Sequence, residues 1–313
     1  MKCLITGANG FVGSRLLGVM SQSEQFDLVA HSRKEPVILI SNAEYLPFGI
    51  IDGNTNWSPI LKNIDVVVHC AARAHIMNER AKDPREEFRK INCNGTLNLA
   101  QHCVKSGVKR FIYLSTIGVN GIKTDLGVPF TENDTPHPNN SYALSKLEAE
   151  EGLKIIAKNS TLEVVIIRPP LIYGPKAPGN FGSLLKILKR GIPLPLSGIH
   201  NKRSLISLDN LIDFILTCIS HPRAANEIFV ISDGFDISTP ELIRGLTFSA
   251  KWPNRLFYVP TPVLSLIAKF FGIEEKMQGL CGTLRIDITK AKRLLDWVPP
   301  LSVDQSIRAA IVE

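Results

Sequence analysis

The chain has 313 residues, 44% of them apolar and 21% charged, which is enough to bury a full core and too apolar for wholesale disorder. Its near-apolar runs, such as Val263–Ala268 and Phe214–Ile219, fall well short of the roughly 20 residues that a spanning helix needs, so no integral membrane segment is expected. Lys and Arg (36) exceed Asp and Glu (29) to give a net charge of +7. The excess is spread along the chain without a basic block or interleaved aromatics, so charge alone fits a solvated, slightly basic surface and suits an anionic small molecule as well as nucleic acid; with the motifs below, nucleic acid is not the expected partner.

The opening Met1-Lys2-Cys3-Leu4-Ile5-Thr6 enters a strand at once, without a basic leader and apolar core, so a cytoplasmic protein is expected. Six scattered cysteines with no Cys-x-x-Cys pair read as reduced, mostly buried thiols and not as a disulfide frame or metal site. Strands are predicted at Lys2–Thr6, Leu28–Ser32, Val66–Cys70, Arg110–Ser115 and Leu162–Arg168, with helices at Val12–Met20, Arg85–Ser106 and Ser141–Lys158. Runs such as Val66-Val67-Val68 do not alternate, which is the mark of strands buried on both faces. The βαβ rhythm predicts an α/β fold, a Rossmann-type doubly wound parallel sheet. Pro169-Pro170 closes this half. Beyond it the prolines at 175, 178, 193 and 195 predict a smaller C-terminal substrate-binding lobe over 169–313. A further helix and strand at Asp209–Ser220 and Glu227–Ile231 predict that about 205–232 rejoins the dinucleotide-binding domain of 1–168.

Gly7-Ala8-Asn9-Gly10-Phe11-Val12-Gly13 follows the first strand and opens the first helix, as a dinucleotide loop requires. Gly7 permits the turn, Gly10 lets backbone approach a diphosphate, and Gly13 allows close helix–strand packing, with the N–H groups around Phe11 and Val12 at the positive helix end. The spacing is one residue longer than Gly-x-Gly-x-x-Gly, a variant that points toward short-chain dehydrogenase/reductase relatives. At the end of the second strand, where an acidic residue would bind the ribose of NAD, the chain reads His31-Ser32-Arg33-Lys34. Arg33 there suits a 2′-phosphate, so NADP(H) is favoured, with NAD as the other possibility.

Tyr142 and Lys146 stand four residues apart on a predicted helix. One turn of separation predicts that Lys146 lowers the phenol's pKa so that Tyr142 exchanges a proton near neutral pH. Ser115-Thr116 places hydroxyls at the carboxyl edge of the fourth predicted strand.

Six motifs in order, namely Gly7–Gly13, His69-Cys70-Ala71-Ala72, Asn92-Cys93-Asn94-Gly95-Thr96, Ser115-Thr116, Tyr142/Lys146 and Arg168-Pro169-Pro170-Leu171-Ile172-Tyr173-Gly174-Pro175, carry a resemblance over nearly the whole chain. The sequence resembles the extended short-chain dehydrogenase/reductases that act on nucleotide sugars, the group that contains UDP-galactose 4-epimerase and related 4-ketoreductases. The resemblance implies that Thr116 binds the reacting sugar oxygen, that Tyr142 exchanges the proton, and that Lys146 also holds the nicotinamide ribose. It also implies cofactor contacts from Asn9, Asp52, Ala71, Ala72, Asn92 and Pro169, and contacts to the nucleotide diphosphate from Asn180 and Arg203. Without the family, Asn92 reads as a polar residue on a helix surface, and His75 as a loop or packing histidine. Thr116 is followed by Ile117-Gly118 where the 4,6-dehydratases carry Asp-Glu, which disfavours dehydration. Leu171 stands where the best-known epimerase has Asn, and a second diphosphate cation falls on Lys276 or Arg285. The reading favoured is an NADP(H)-dependent 4-ketoreductase, reducing a UDP-4-keto-6-deoxy-N-acetylhexosamine for bacterial surface polysaccharide or O-antigen synthesis. The alternative is an NAD-dependent UDP-sugar 4-epimerase, and the third is a non-enzymatic NADP-binding sensor. Apolar positions in Arg85–Ser106 and Ser141–Lys158 serve either core packing or, as the resemblance implies, pairing of two subunits in a homodimer.

Overall fold

The computed structural model describes residues 1–35, 39–46, 49–74, 83–125, 127–270, 272 and 274–311. Its first half runs β1 (Lys2–Thr6), α1 (Phe11–Met20), β2 (Asp27–His31), β3 (Ala43–Tyr45), β4 (Val66–His69), α2 (Pro84–Phe88), α3 (Thr96–Ser106), β5 (Arg110–Leu114), α4 (Ser141–Lys158) and β6 (Glu163–Arg168). Its second half runs β7 (Ile172–Tyr173), α5 (Gly179–Lys189), β8 (Arg203–Ser204), β9 (Ile206–Ser207), α6 (Leu208–Ser220), β10 (Ile228–Val230), β11 (Asp236–Ile237), α7 (Thr239–Ala250), α8 (Thr261–Phe270), α9 (Glu274–Cys281), α10 (Thr289–Leu295) and α11 (Val303–Ala309).

Unbroken β-branched runs such as Val66-Val67-Val68 need cover on both faces, and the structure supplies it. Seven strands form one sheet in the order β10-β6-β5-β4-β1-β2-β3, and every pairing in it is parallel. This is the doubly wound Rossmann arrangement. One face packs Cys3, Ile5, Val66, Val68 and Ile112 against Leu16 and Leu17 of α1 and Phe214 and Ile215 of α6. The other packs Leu4, Val67, Phe111 and Val164 against Leu99 of α3 and Leu153 of α4. Strand order reverses between β1 and β4, and the loops that leave those two strands open a crevice at the carboxyl edge.

The predicted strands and helices match observed ones apart from their ends and the interior of Arg85–Ser106; β3, β7, β8, β9, β11, α5 and α7 to α11 were not among them. β3 was not predicted, because three residues at the sheet edge carry no periodic signal. The predicted helix Arg85–Ser106 is not uniformly α-helical: Arg89–Gly95 winds as a π-helix between α2 and α3. β10 pairs with β6, Ile228 opposite Ile166 and Val230 opposite Arg168, so a strand from beyond Pro170 completes the sheet. A third apolar cluster, including Phe181, Leu184, Leu205, Ile243, Leu246 and Ile307, joins α5, α7 and α11 beside the carboxyl edge. All six cysteines are free; Cys3, Cys93, Cys103 and Cys218 are buried, and Cys70 and Cys281 are half-buried. Among the described residues, no helix is long and apolar enough to cross a membrane.

Phe214 is fully buried and meets Phe229 and Trp297 edge-on, at ring distances of 5.4 and 4.8 Å. It ties α6 to β10 and to the segment after α10. Phe214→Ala is expected to lower unfolding stability by about 3–5 kcal/mol in denaturant titrations, for the lost transfer energy and the cavity left behind; a loss under about 1 kcal/mol contradicts this packing.

Candidate active site

At the crevice, Gly7 has a φ of +70°, and a Cβ there would stand 2.7 Å from the Ala71 nitrogen. A Cβ on Gly13 would stand 2.2 Å from the Gly7 carbonyl oxygen. Only glycine therefore lets β1, the loop after β4 and the first turn of α1 approach this closely. Gly10 caps α1 in extended backbone; no side chain caps the helix, and its first turn holds no acidic residue. Among the described residues, the N–H groups of that turn have no side-chain acceptor, and Gly10, Phe11, Val12 and Gly13 line a cleft of about 860 Å³. An uncapped, acid-free helix start on a cleft fits the diphosphate of a dinucleotide.

The opposite wall carries the catalytic candidates. Thr116, Tyr142, Lys146, Ala72, Pro169 and Arg203 line the same cleft. Asn140 caps α4 by accepting the Ala143 N–H at 2.8 Å, which fixes the turn that presents Tyr142. Lys146 lies one turn later, 2% exposed, with Nζ donating to the Leu114 carbonyl at 2.8 Å and standing 4.5 Å from the Tyr113 ring centre. Thr116 Oγ1 accepts the Gly118 N–H at 3.1 Å, so its own proton is left for a ligand. Burial lowers the Lys146 ammonium to about 8.

Burial also pushes the Tyr142 phenol up to about 12. This corrects the expectation that Lys146 lowers it. The ammonium is directed at the Leu114 carbonyl and the Tyr113 ring, and the loss of solvent around the phenol outweighs its charge.

The other residues expected to contact cofactor or substrate have the following surroundings. Asn9 Nδ2 donates to the Lys34 carbonyl at 2.8 Å and so ties the loop after β2 to the glycine turn, while Arg33 is exposed beside it. Asp52 Oδ1 accepts the Asn54 N–H at 2.9 Å within its own turn. Ala71 lies behind the cleft wall, its N–H 3.4 Å from Thr6 Oγ1. Asn92 is neither on a helix surface nor on the cleft: it is buried in the π-helical segment, where Oδ1 accepts the Arg73 N–H at 2.7 Å and Nδ2 donates to the Arg73 carbonyl and to Ser145 Oγ. Its amide is used up holding the loop after β4 against α4. Asn180 is exposed at the start of α5 and lines, with Arg203, a smaller cavity of about 120 Å³ that shares Leu171 and Gly279 with the main cleft. Arg203 donates to the Gly282 carbonyl at 2.9 Å. Arg285 is paired with Asp236 at 2.6 Å and does not line either cavity. His75 and the Lys276 side chain lie outside the described residues. Gln278, Gly279 and Leu284 line the cleft and were missed, because nothing local in α9 or after it marks them as facing a ligand. Among the described residues, no group of His, Cys, Asp or Glu is arranged to hold a metal ion.

Comparison with known proteins supplies what geometry alone does not. The profile of the NAD dependent epimerase/dehydratase family matches residues 3–232. The chain belongs to that family. It is 43% identical over 306 residues to a UDP-glucose 4-epimerase of Vibrio cholerae, covering 97% of this chain and 93% of the relative. It is 26% identical to an Escherichia coli O157:H7 N-acetyl-alpha-D-glucosaminyl-diphospho-ditrans,octacis-undecaprenol 4-epimerase, covering 97% and 92%. In fold it matches the UDP-glucose 4-epimerase of Thermotoga maritima solved with UDP-glucose, with a TM-score of 0.81 at 23% identity over 99% of this chain and 97% of that one. It also matches a Bacillus cereus UDP-glucuronic acid 4-epimerase solved with NAD, with a TM-score of 0.79 at 23% identity and the same coverage.

Behind the cleft, His69 is fully buried between Thr6 Oγ1 at 2.7 Å and Thr96 Oγ1 at 2.9 Å. Burial holds its imidazole near 3, against an ordinary 6.5, with the Lys146 charge adding to the effect. The unfolded chain takes up a proton here that the folded chain refuses, so this group weakens the fold as pH falls from about 6.5 toward 3. By NMR, the His69 ring is expected to stay neutral from pH 8 down to pH 5; a midpoint near the ordinary value contradicts its burial.

Proposed function

We propose that this protein is an NAD-dependent 4-epimerase of a UDP-sugar, acting on the UDP-glucose and UDP-galactose pair or a close analogue. The observation that carries the reading is the convergence on one cleft of the uncapped α1 loop, Thr116, Tyr142 and Lys146. Its chemistry is that of the relative at 43% identity. That relative favours epimerisation over the 4-ketoreductase reading. Arg33, the residue on which the NADP preference rests, is exposed and lies outside the residues that line the cleft. NAD is therefore the proposed cofactor, consistent with its presence in the Bacillus cereus structure.

Bound NAD supplies a hydride acceptor that is regenerated within each turnover. The α1 loop holds its diphosphate at the positive helix end. Tyr142, as the phenolate, would take the C4 hydroxyl proton and, as the phenol, return it; the Lys146 ammonium, with the positive charge that oxidised NAD supplies when bound, would favour the phenolate needed before the first transfer and restored by the second. Thr116 donates its free proton to the sugar oxygen and keeps it in line with Tyr142. Arg203 and Asn180, where the two cavities join, take the nucleotide diphosphate. Residues 1–168 together with about 205–232 hold the dinucleotide, and 169–313 otherwise form the substrate lobe. The half-buried side chains on α3 and α4, such as Leu97, Leu144 and Leu147, are proposed to pair across a homodimer; light scattering should give twice 34.6 kDa, and a monomer mass refutes the pairing.

The test combines cofactor identity with turnover. Mass spectrometry of the cofactor released on denaturation is expected to find NAD, and the protein should interconvert UDP-glucose and UDP-galactose without added reductant. Tyr142→Phe should retain the cofactor and lose turnover by a factor on the order of 10²–10⁴. Recovery of NADP, with oxidation of added NADPH by a 4-keto nucleotide sugar, would restore the reductase reading.

A further inference from the structure

The largest buried charges outside the cleft are Arg168 and Glu150, 1% and 0% exposed. They form a forked ion pair: Arg168 Nε donates to Glu150 Oε1 at 3.0 Å and to Oε2 at 3.1 Å, and its terminal nitrogen also meets Oε2. The other terminal nitrogen of Arg168 donates to Asn120 Oδ1 at 2.9 Å. Asn120 in turn donates to the Thr131 carbonyl at 2.7 Å. The Ser115 hydroxyl donates to Glu150 Oε1. A buried pair of this kind is poor evidence for stability, since its desolvation cost is comparable to its attraction. What it does here is spatial.

Ser115 lies between the two residues that the proposed chemistry needs fixed. Leu114 offers the carbonyl that receives the Lys146 ammonium, and Thr116 lines the cleft. The backbone of this segment is held on its other side by β6 and the residue after it, Ser115 N–H to the Ile167 carbonyl at 2.7 Å and Ile117 N–H to the Pro169 carbonyl at 2.9 Å. Glu150 is one turn beyond Lys146 on α4, so a single carboxylate joins the helix that carries Tyr142 and Lys146 to the strand end that carries Thr116. We propose that Glu150 is a positioning residue of this site: gripped by Arg168, its carboxylate fixes Ser115 and thereby sets Leu114 and Thr116 against Lys146 and Tyr142. This inference rests on the catalytic reading of the cleft given above.

The charged and titratable groups that act on Lys146 are Glu150 on its own helix and Cys70 after β4; His69 of β4 feels its charge, and the Tyr113 ring of β5 faces it. Burial lowers the ammonium's pKa, and Cys70 and, after it, the Glu150 carboxylate raise it. Loss of the carboxylate, or of the Leu114 contact that it secures, therefore lowers the Lys146 midpoint.

Two variants test this. Ser115→Ala removes one hydroxyl and leaves the ion pair intact. The double variant Glu150→Met/Arg168→Met replaces the pair with apolar side chains of similar length, a change that buried pairs tolerate. Both are expected to keep NAD affinity within about threefold, while kcat for UDP-sugar epimerisation falls at least about fivefold in Ser115→Ala and more in the double variant, with KM nearly unchanged. NMR of the labelled lysine side chain should show the Lys146 midpoint, about 8 in the parent, lowered in both. Should the double variant fail to fold, Ser115→Ala decides alone. If the parent itself turns over no nucleotide sugar, the functional reading fails separately, and the Lys146 midpoint then decides the positioning role. Unchanged kcat, a change confined to KM, or, in an inactive parent, an unmoved midpoint overturns the proposal.

Discussion

The site depends on a close approach of backbone to backbone. β1, the loop after β4 and the first turn of α1 meet where Gly7 and Gly13 have no Cβ, and any side chain there would overlap the Gly7 carbonyl or the Ala71 nitrogen. This contact brings the start of α1 down onto the carboxyl edge at the point where strand order reverses. The first turn of α1 there has no side-chain cap, so the proposed affinity for an anion rests on local geometry and the helix dipole, without a lysine or arginine between Gly7 and Gly13.

Across the cleft, the candidate catalytic side chains are backed by buried polar groups that form a shelf. Thr6, His69 and Thr96 form one chain of hydrogen bonds, and Asn92 joins the loop after β4 to Ser145 of α4. Glu150 and Arg168 close the shelf from the β6 side. Each of these groups has a partner, so the cost of burying them is met by hydrogen bonds and the shelf resists displacement. Burial has a second consequence. It moves Lys146 down and Tyr142 up, so the phenol keeps its proton in the protein alone. In the proposed epimerase, the positive charge of bound oxidised NAD would favour the phenolate and so tie proton withdrawal to cofactor occupancy.

Much of this was legible in the amino-acid order. The strands at the sheet centre announce themselves as unbroken β-branched runs, the glycine loop by its place between strand and helix, and Thr116, Tyr142 and Lys146, which line one cleft, by one helical turn and a strand end. What was not legible has a physical reason in each case. Asn92 looks like a surface residue because a uniform α-helix was assumed, and the π-helical segment redirects it inward. Glu150 sits in a helix rich in charge, where a glutamate ordinarily faces water, and only the tertiary meeting with Arg168 shows it to be buried. Gln278 and Leu284 reach the cleft through contacts made about 80 residues apart in the chain, such as Leu284 with Arg203, which no local pattern encodes.

The proposed epimerase oxidises a sugar carbon and then reduces the same carbon with the same hydride in one cleft. UDP-glucose that carries deuterium at C4, followed through conversion to UDP-galactose, decides the matter. Full retention of deuterium at C4 in the product is expected, with no exchange with solvent and no net change in the cofactor's redox state. Loss of the label, or stoichiometric consumption of a reduced cofactor, would contradict it.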